Sequence, residues 1–286
     1  MNHRLLSAAA LLLSCTAAYA EPVVLAHRGG PAQLPENTLP AFRQSLSLGV
    51  DILEFDMNLT SDDRVALHHD TSVNSVICLA DPKAGLTHGP IRMMTLQEAQ
   101  SFDCGSRHPP NFPAQQAVPG TRMPSLEEFL EATRDSKALF FGETKMPKPD
   151  AGYSVDPELF ARKVNAIVSK YGVEDRFILQ SFDYRVIDAM YQLNPRIRTC
   201  LLGMQRHKPN YLEAVRRHHA SCVVLRRDYA DASDFKQLKD AGVTVYSDVV
   251  DRAEEWQAYA ALGVDAIFTN DPVGLIEYLK KSGLRD

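Results

Sequence analysis

Residues 51–56 read Asp-Ile-Leu-Glu-Phe-Asp, an apolar strand pattern interrupted by two acids that share one face. A second extended run, residues 64–69, follows after too few residues for a parallel crossover, which needs a dozen or more. We therefore predict an antiparallel hairpin that turns near Asp62-Asp63 and places His69 opposite Asp56. The hairpin removes one extended run from the count of core strands.

Eight strand patterns, counting the one that contains Glu54 and Asp56, alternate with helical patterns through most of the chain, which predicts parallel strands covered by helices. The strand patterns are Val23–His27, Ile52–Met57, Ala138–Glu143, Phe177–Phe182, Arg198–Leu202, Cys222–Arg226, Val243–Tyr246 and Ala266–Thr269. Eight strands close a (β/α)8 TIM barrel, and 286 residues suit one such domain. The alternative is an open doubly wound sheet, which usually shows a glycine-rich first loop that this chain lacks.

The N-terminal residues 1–20 are typical of a signal peptide. A weakly basic start precedes the apolar run Leu5–Leu13, which is too short to span a bilayer, and Ala18-Tyr19-Ala20 fits the cleavage rule. We expect a secreted or periplasmic protein whose mature domain covers residues 21–286. The alternative is a lipoprotein anchored at Cys15. No other segment is long and apolar enough to be transmembrane.

Residues 71–123 are rich in Pro, Gly, Ser and Asp, and we predict that they form an insertion over the barrel mouth. Export permits disulfides, so we predict a bond between Cys78 and Cys104 that holds this insertion. Cys200 and Cys222 lie in core strands, and we expect them to stay reduced.

Three carboxylates lie at predicted strand ends: Glu54, Asp56 and Glu143. Burying acids in such apolar strands is costly without a cation, and carboxylate oxygens are ligands for hard divalent ions. The spacing therefore predicts one cation, Ca²⁺ or Mg²⁺, at the barrel mouth. The alternative for each acid is an ion pair with a nearby Arg or Lys, or a helix cap.

His27 and His69 end two extended runs at the same predicted barrel end. A lone histidine is usually structural, but two beside a metal suit a general acid and a general base. Arg28 and Lys145 supply positive charge suited to a phosphate, the alternative being solvent-exposed ion pairs. The net charge of −5 and the absence of a long basic run argue against nucleic acid as a partner.

The motifs together resemble the glycerophosphodiester phosphodiesterase family across nearly the whole mature chain. They are His27-Arg28-Gly29, Pro35-Glu36-Asn37-Thr38 with Phe42, Gly49-Val50-Asp51 with Glu54-Phe55-Asp56, Thr60, His69-Asp70, Glu143-Thr144-Lys145, Ser181-Phe182, and Gly263 through Pro272. Two departures occur: Asp62-Asp63 stands where the family has Asp-Gly, and Tyr246-Ser247-Asp248 replaces the family's Trp-Thr-Val-Asn.

The resemblance implies metal-dependent hydrolysis of a small glycerophosphodiester to glycerol 3-phosphate and an alcohol. It implies the catalytic, metal-binding and phosphate-binding roles given above, with Phe182 and Tyr246 as further substrate contacts. It also implies that Glu36 buttresses the first loop, and that Asn37 or Thr38 caps the following helix.

Two other functions compete with this one. The first is a lysophospholipase D or sphingomyelinase D activity on lipids, for which Phe102 and Phe112 would supply an apolar surface on the insertion. The second is a non-catalytic periplasmic phosphodiester-binding protein, which would need the cation and the positive groups but not two histidines.

Overall fold

The computed structural model describes residues 22–83 and 85–285. The predicted signal peptide and Cys15 lie outside the described residues. Within them, nine strands form one sheet: β1 Val23–Ala26, β2 Ile52–Leu59, β3 Val65–Leu67, β4 Leu139–Thr144, β5 Phe177–Ser181, β6 Arg198–Leu201, β7 Cys222–Val224, β8 Thr244–Val249 and β9 Ala266–Thr269.

Eight of these strands close a parallel barrel, because β1 pairs with both β2 and β9 and the intervening strands follow in order. β3 lies outside the barrel and pairs antiparallel with β2. The predicted (β/α)8 barrel with its hairpin is therefore confirmed. The closed pairing of β1 with β2 rules out the open sheet.

Helices separate the strands and cover the outside of the barrel. They are α1 Leu39–Ser47, α2 Leu96–Ala99, α3 Leu126–Ala132, α4 Pro157–Tyr171, α5 Tyr184–Leu193, α6 Tyr211–Arg217, α7 Ala232–Asp240, α8 Ala253–Ala261 and α9 Pro272–Lys281. A capping box of Ser125 and Glu128 begins α3, since each side chain bonds the other's backbone amide. Among the described residues, no helix has the length and apolarity needed to cross a membrane.

Two apolar layers stabilise the barrel. Side chains on the outer face of the strands, such as Leu53 and Phe55, pack against the helices. Side chains on the inner face, such as Ile52 and Phe141, fill the barrel itself. Because side chains alternate along a strand, Glu54 and Asp56 share the inner face with Ile52 and point toward the mouth.

The hairpin differs from its prediction by one residue of register. Met57 pairs with Leu67, so His68 lies opposite Asp56, and its amide donates to the Asp56 carbonyl at 3.0 Å. His69 is therefore the next residue along. At the turn, Asp63 has φ +55°, a left-handed conformation that glycine adopts most readily and that aspartate tolerates.

The insertion has an apolar core of its own, contrary to the small apolar content that its composition suggested. Ten buried side chains form this core, including Ile91, Met94 and Phe102, and the disulfide between Cys78 and Cys104 lies within it. Cys200 and Cys222 are buried free thiols in neighbouring strands. The apolar contacts and the disulfide together hold the insertion against the β3 side of the barrel.

Candidate active site

The three carboxylates predicted to bind a metal converge at the carboxyl end of the barrel. β2 supplies Glu54 and Asp56, and β4 supplies Glu143, whose Cα is the register partner of Asp56. One oxygen from each lies within 4.8 Å of the other two. Glu54 is 1 % exposed and Asp56 is fully buried. These positions follow from parallel strands ending at one edge of the barrel.

Two amides that the sequence did not single out as site residues hold the carboxylates in place. Asn37 donates from Nδ2 to Asp56 Oδ2 at 2.8 Å and accepts from the Asp56 amide at 3.0 Å. Gln180, on β5, donates from Nε2 to Glu54 Oε1 at 3.0 Å. Of the two predicted caps for α1, Thr38 is the actual one. Asn37 instead orients a carboxylate, and its place within the Pro35-Glu36-Asn37-Thr38 motif was the available signal.

Both predicted positive groups contact the carboxylates directly. Lys145 Nζ lies 2.9 Å from Asp56 Oδ1 and 2.5 Å from Glu143 Oε1. Arg28 Nε lies 3.3 Å from Asp56 Oδ2, and its Nη1 donates to both oxygens of Glu36 at 3.1 Å. Glu36 thus buttresses Arg28, as the motif suggested. These are largely buried pairs, so the solvent-exposed alternative does not apply.

The charge of this cluster fits a divalent cation. Four buried carboxyl groups, counting Glu36, face the two positive charges of Arg28 and Lys145. Burial, together with the charges of Asp56 and Glu143, raises the pKa of Glu54 well above its usual range. Two further positive charges would leave the cluster neutral with every carboxylate ionised, and an all-oxygen donor set suits a hard ion.

His27 follows β1 at the same end of the barrel and forms part of a hydrogen-bonded chain. Its Nδ1 lies 2.6 Å from Asn270 Oδ1, and Asn270 Nδ2 donates to Asp251 Oδ2 at 2.7 Å. Because a carboxylate only accepts, Asp251 fixes the amide orientation, and Asn270 Oδ1 must accept from His27 Nδ1. The network therefore assigns the proton to Nδ1 and leaves Nε2 with a free lone pair.

Burial and the nearby charge of Arg28 lower the pKa of His27 to about 3, so its ring is neutral near pH 7. Asn270 belongs to the terminal Thr-Asn-Asp-Pro motif, but Asp251 lies in no motif and was missed. It follows the bulge in β8 that separates Tyr246 from Val249. Sequence spacing does not reveal this contact, because the bulge shifts the end of the strand.

His69 lines the same cleft as His27 and is partly open to solvent. Its Nδ1 pairs with Asp70 Oδ1 at 2.9 Å, and Asp70 is held in turn by Asn74 Nδ2 at 2.7 Å. The neighbouring His68 is buried, and its Nε2 accepts from the Asn74 amide at 3.1 Å. The two adjacent histidines thus have different surroundings, and His69 is the one that faces the cleft.

Two clefts open from the carboxylate cluster. One has a volume of about 490 Å³ and lies between the two histidines, His27 and His69, and the insertion, where Phe112 forms part of the wall. The other has a volume of about 660 Å³ and runs from Glu143 and Lys145 past Phe182, whose residue exposure is 54 %. Phe182, a predicted substrate contact, therefore lines a cleft that includes Glu143 and Lys145.

Two aromatic residues predicted to contact the substrate or to form an apolar surface, Tyr246 and Phe102, are buried instead. Tyr246 is 3 % exposed and packs inside the barrel against Phe141, with ring centroids 5.2 Å apart. It lines neither cleft, so its predicted contact with the alcohol is wrong. Phe102 is 1 % exposed and belongs to the core of the insertion, so it supplies no apolar surface for a lipid.

Known proteins share both the sequence pattern and the fold. Residues 27–273 match the model of the glycerophosphoryl diester phosphodiesterase family. A glycerophosphodiester phosphodiesterase of Caldanaerobacter subterraneus is 28 % identical over 266 residues, which cover 91 % of this chain and 99 % of that protein.

Solved structures give the same fold. A glycerophosphoryl diester phosphodiesterase structure from Silicibacter pomeroyi superposes with a TM-score of 0.84 at 24 % identity, over 93 % of this chain and 95 % of that one. An Oleispira antarctica phosphodiesterase, solved with the product sn-glycerol-3-phosphate, superposes with a TM-score of 0.76 at 20 % identity, over 91 % of this chain and 97 % of that one.

Proposed function

Because the chain belongs to the glycerophosphoryl diester phosphodiesterase family, we propose that it hydrolyses glycerophosphodiesters to glycerol 3-phosphate and an alcohol. The observation that carries this proposal is that His27 and His69 line one cleft together with Arg28, which contacts Asp56 of the three converging carboxylates. The relative from Caldanaerobacter and the Oleispira enzyme with its bound product support the same substrate class.

We propose that Glu54, Asp56 and Glu143 hold one Ca²⁺ or Mg²⁺. When bound, such an ion polarises the phosphodiester and stabilises the negative charge that develops on its oxygens. Arg28 and Lys145 already contact these carboxylates, so they lie close enough to neutralise further phosphate oxygens. The carboxylates and the two cations thereby bind and orient the diester.

The two histidines have complementary surroundings in this proposal. His27 presents a free lone pair at Nε2, which suits removal of a proton from the attacking oxygen. His69 keeps its Nδ1 on Asp70, and this carboxylate stabilises a ring that carries the second proton. His69 then donates that proton to the departing alcohol. The half-exposed position of His69 suits proton exchange with solvent between turnovers.

The experiment that tests this function measures glycerol 3-phosphate released from glycerophosphodiesters, with chelator and with restored Ca²⁺ or Mg²⁺. His27→Ala and His69→Ala should each lose about 10²–10⁴-fold in turnover. His219→Ala is the control, since His219 stacks on Tyr191 at the surface of the barrel. Full turnover in chelator would refute the metal site, and near-normal turnover of either variant would show that the replaced histidine is structural. Binding of these diesters without turnover by the unmodified protein would establish the binding-protein alternative.

A lipid substrate has less support. Of the two aromatic residues proposed for an apolar surface, Phe102 is buried, and Phe112 lies within the wall of the smaller cleft, beside His27 and His69. We therefore propose small water-soluble diesters as the substrates. Hydrolysis of lysophospholipid at a rate equal to that of glycerophosphocholine would contradict this preference.

We also propose that residues 21–286 form one exported domain. The disulfide between Cys78 and Cys104 supports export, because such bonds persist mainly in oxidising compartments. N-terminal sequencing of the protein recovered from its native compartment tests the cleavage site. A chain that starts at Glu21 is expected, and a lipid-modified Cys15 would instead establish the lipoprotein alternative.

A further inference from the structure

The larger of the two clefts, with a volume of about 660 Å³, leads from the carboxylate cluster to a basic side chain that the proposed chemistry does not use. Glu143 and Lys145 line one end of this cleft, while Phe182, Arg206 and His207 line the other. Arg206 lies in the loop after β6, on the same barrel face as the strand ends that carry the carboxylates. A substrate arm that leaves the phosphate along this cleft therefore reaches Arg206.

Arg206 is held in a fixed position. Its Nη2 donates to the carbonyls of Phe182 at 2.6 Å and Leu202 at 3.2 Å. Its guanidinium lies over the ring of Tyr184, 4.5 Å from the centroid. Nη1 and Nε have neither a carbonyl nor a carboxylate acceptor among the described residues. The side chain is thus oriented, and two of its nitrogens are available to a ligand.

The surroundings of Arg206 leave its charge uncompensated. Asp183, the acid nearest to it along the cleft, is engaged by Arg185 through two contacts of 2.9 and 2.6 Å. Within residues 22–83 and 85–285, Arg206 forms no ion pair. A smaller depression of about 200 Å³ shares Arg206 and His207 and adds Lys208, Arg217 and one acid, Glu213, which pairs with Arg217 and not with Arg206. This end of the cleft therefore favours a negative group.

We propose that Arg206 binds a second anionic group, a carboxylate or a phosphate, on the alcohol arm of the substrate. This inference rests on the proposed function. The glycerol arm of a glycerophosphodiester is uncharged, so a second anion can only belong to the alcohol. Nη1 and Nε lie on different edges of the guanidinium, so each of these free nitrogens donates a single charge-assisted hydrogen bond to a carboxylate or phosphate oxygen. The preferred substrates are then diesters whose alcohol carries an additional negative charge.

Two matched substrate pairs test this preference and separate the two anions. Glycerophosphoserine differs from glycerophosphoethanolamine by a carboxylate, and glycerophosphoinositol 4-phosphate differs from glycerophosphoinositol by a phosphate. For the unmodified protein we expect kcat/KM to be about 10-fold higher for the anionic member of at least one pair, and that pair identifies the anion. In Arg206→Gln, the ratio within that pair should fall to near 1, whereas Arg206→Lys should keep part of it.

The matched control is Arg196→Gln, which removes an arginine just before β6, at the opposite end of the barrel. Its ratios should equal those of the unmodified protein, and melting temperatures verify that all three variants fold. Ratios at or below 1 in the unmodified protein, or a ratio unchanged in Arg206→Gln, would overturn the inference alone. If none of the four diesters is hydrolysed, the proposed function itself fails, and this inference fails with it.

Discussion

Asp251 is expected to control the proton position on His27 without touching the substrate. Its carboxylate accepts from Thr269 Oγ1 at 3.0 Å, from the backbone N–H of Asn270 at 2.7 Å and from the side-chain Nδ2 of Asn270 at 2.7 Å. Asp251→Asn keeps the size of the side chain but replaces one acceptor oxygen by a donor group. The Asn270 amide then loses its fixed orientation, and His27 Nδ1 loses its assured acceptor.

The size of the effect follows from the hydrogen bond that the substitution weakens. A hydrogen bond to a charged group contributes about 1.5–3 kcal/mol. Because 1.36 kcal/mol corresponds to a factor of ten in rate, kcat should fall about 10- to 150-fold. Asp251 is exposed to solvent, which places the expected loss near the lower end of that range. KM should change less, because the phosphate contacts lie elsewhere.

The assay measures glycerol 3-phosphate release over a range of substrate concentrations, together with ¹⁵N chemical shifts of the His27 ring. Asp231→Asn is the control, because Asp231 also accepts three hydrogen bonds, at the start of α7, and contacts no site residue. We expect Asp251→Asn to lose kcat and to show a mixture of ring tautomers. Unchanged kcat with the Nδ1-protonated ring intact would refute the reasoning, as would an equal loss in the control.

Three further predictions concern stability and the cation. Replacing both Cys78 and Cys104 by Ser should lower the free energy of unfolding by about 3 kcal/mol in urea titrations, as the chain-entropy model predicts for their sequence separation of 26, and an unchanged midpoint would contradict it. His68 is buried with a pKa lowered to about 4. The folded protein binds this proton less readily than the unfolded chain, so the contribution of His68 to the free energy of unfolding is complete above pH 6.5. About 3 kcal/mol of that free energy is lost as the pH falls toward 4. In unfolding measured at several pH values, His68→Gln should lack this pH dependence. Glu54→Gln should weaken Ca²⁺ or Mg²⁺ binding in calorimetry. Gly142→Ala is the control: its new Cβ would lie 2.8 Å from Met57 Cε on the outer side of β4, so it should lower the melting temperature without changing cation binding.

The sequence by itself determined the barrel and the principal site residues. Apolar runs of strand length alternate with helical patterns along the chain, and the structure has strands and helices in the same alternation. Parallel strands of a barrel end at one face, so acids at the ends of β2 and β4 had to converge there. These features depend on local pattern and on topology, and both can be inferred from one chain.

Only the tertiary structure decided which groups surround those residues. The partner of His27 lies 243 residues away, and Asp251 reaches Asn270 because of a bulge that the strand pattern does not reveal. The register of the hairpin, which places His68 opposite Asp56, is set by the turn between the two strands. Tyr246 is buried because its side chain lies among those that fill the inside of the barrel. Such contacts depend on register, bulges and side-chain direction, where one residue of shift reverses which face a side chain occupies.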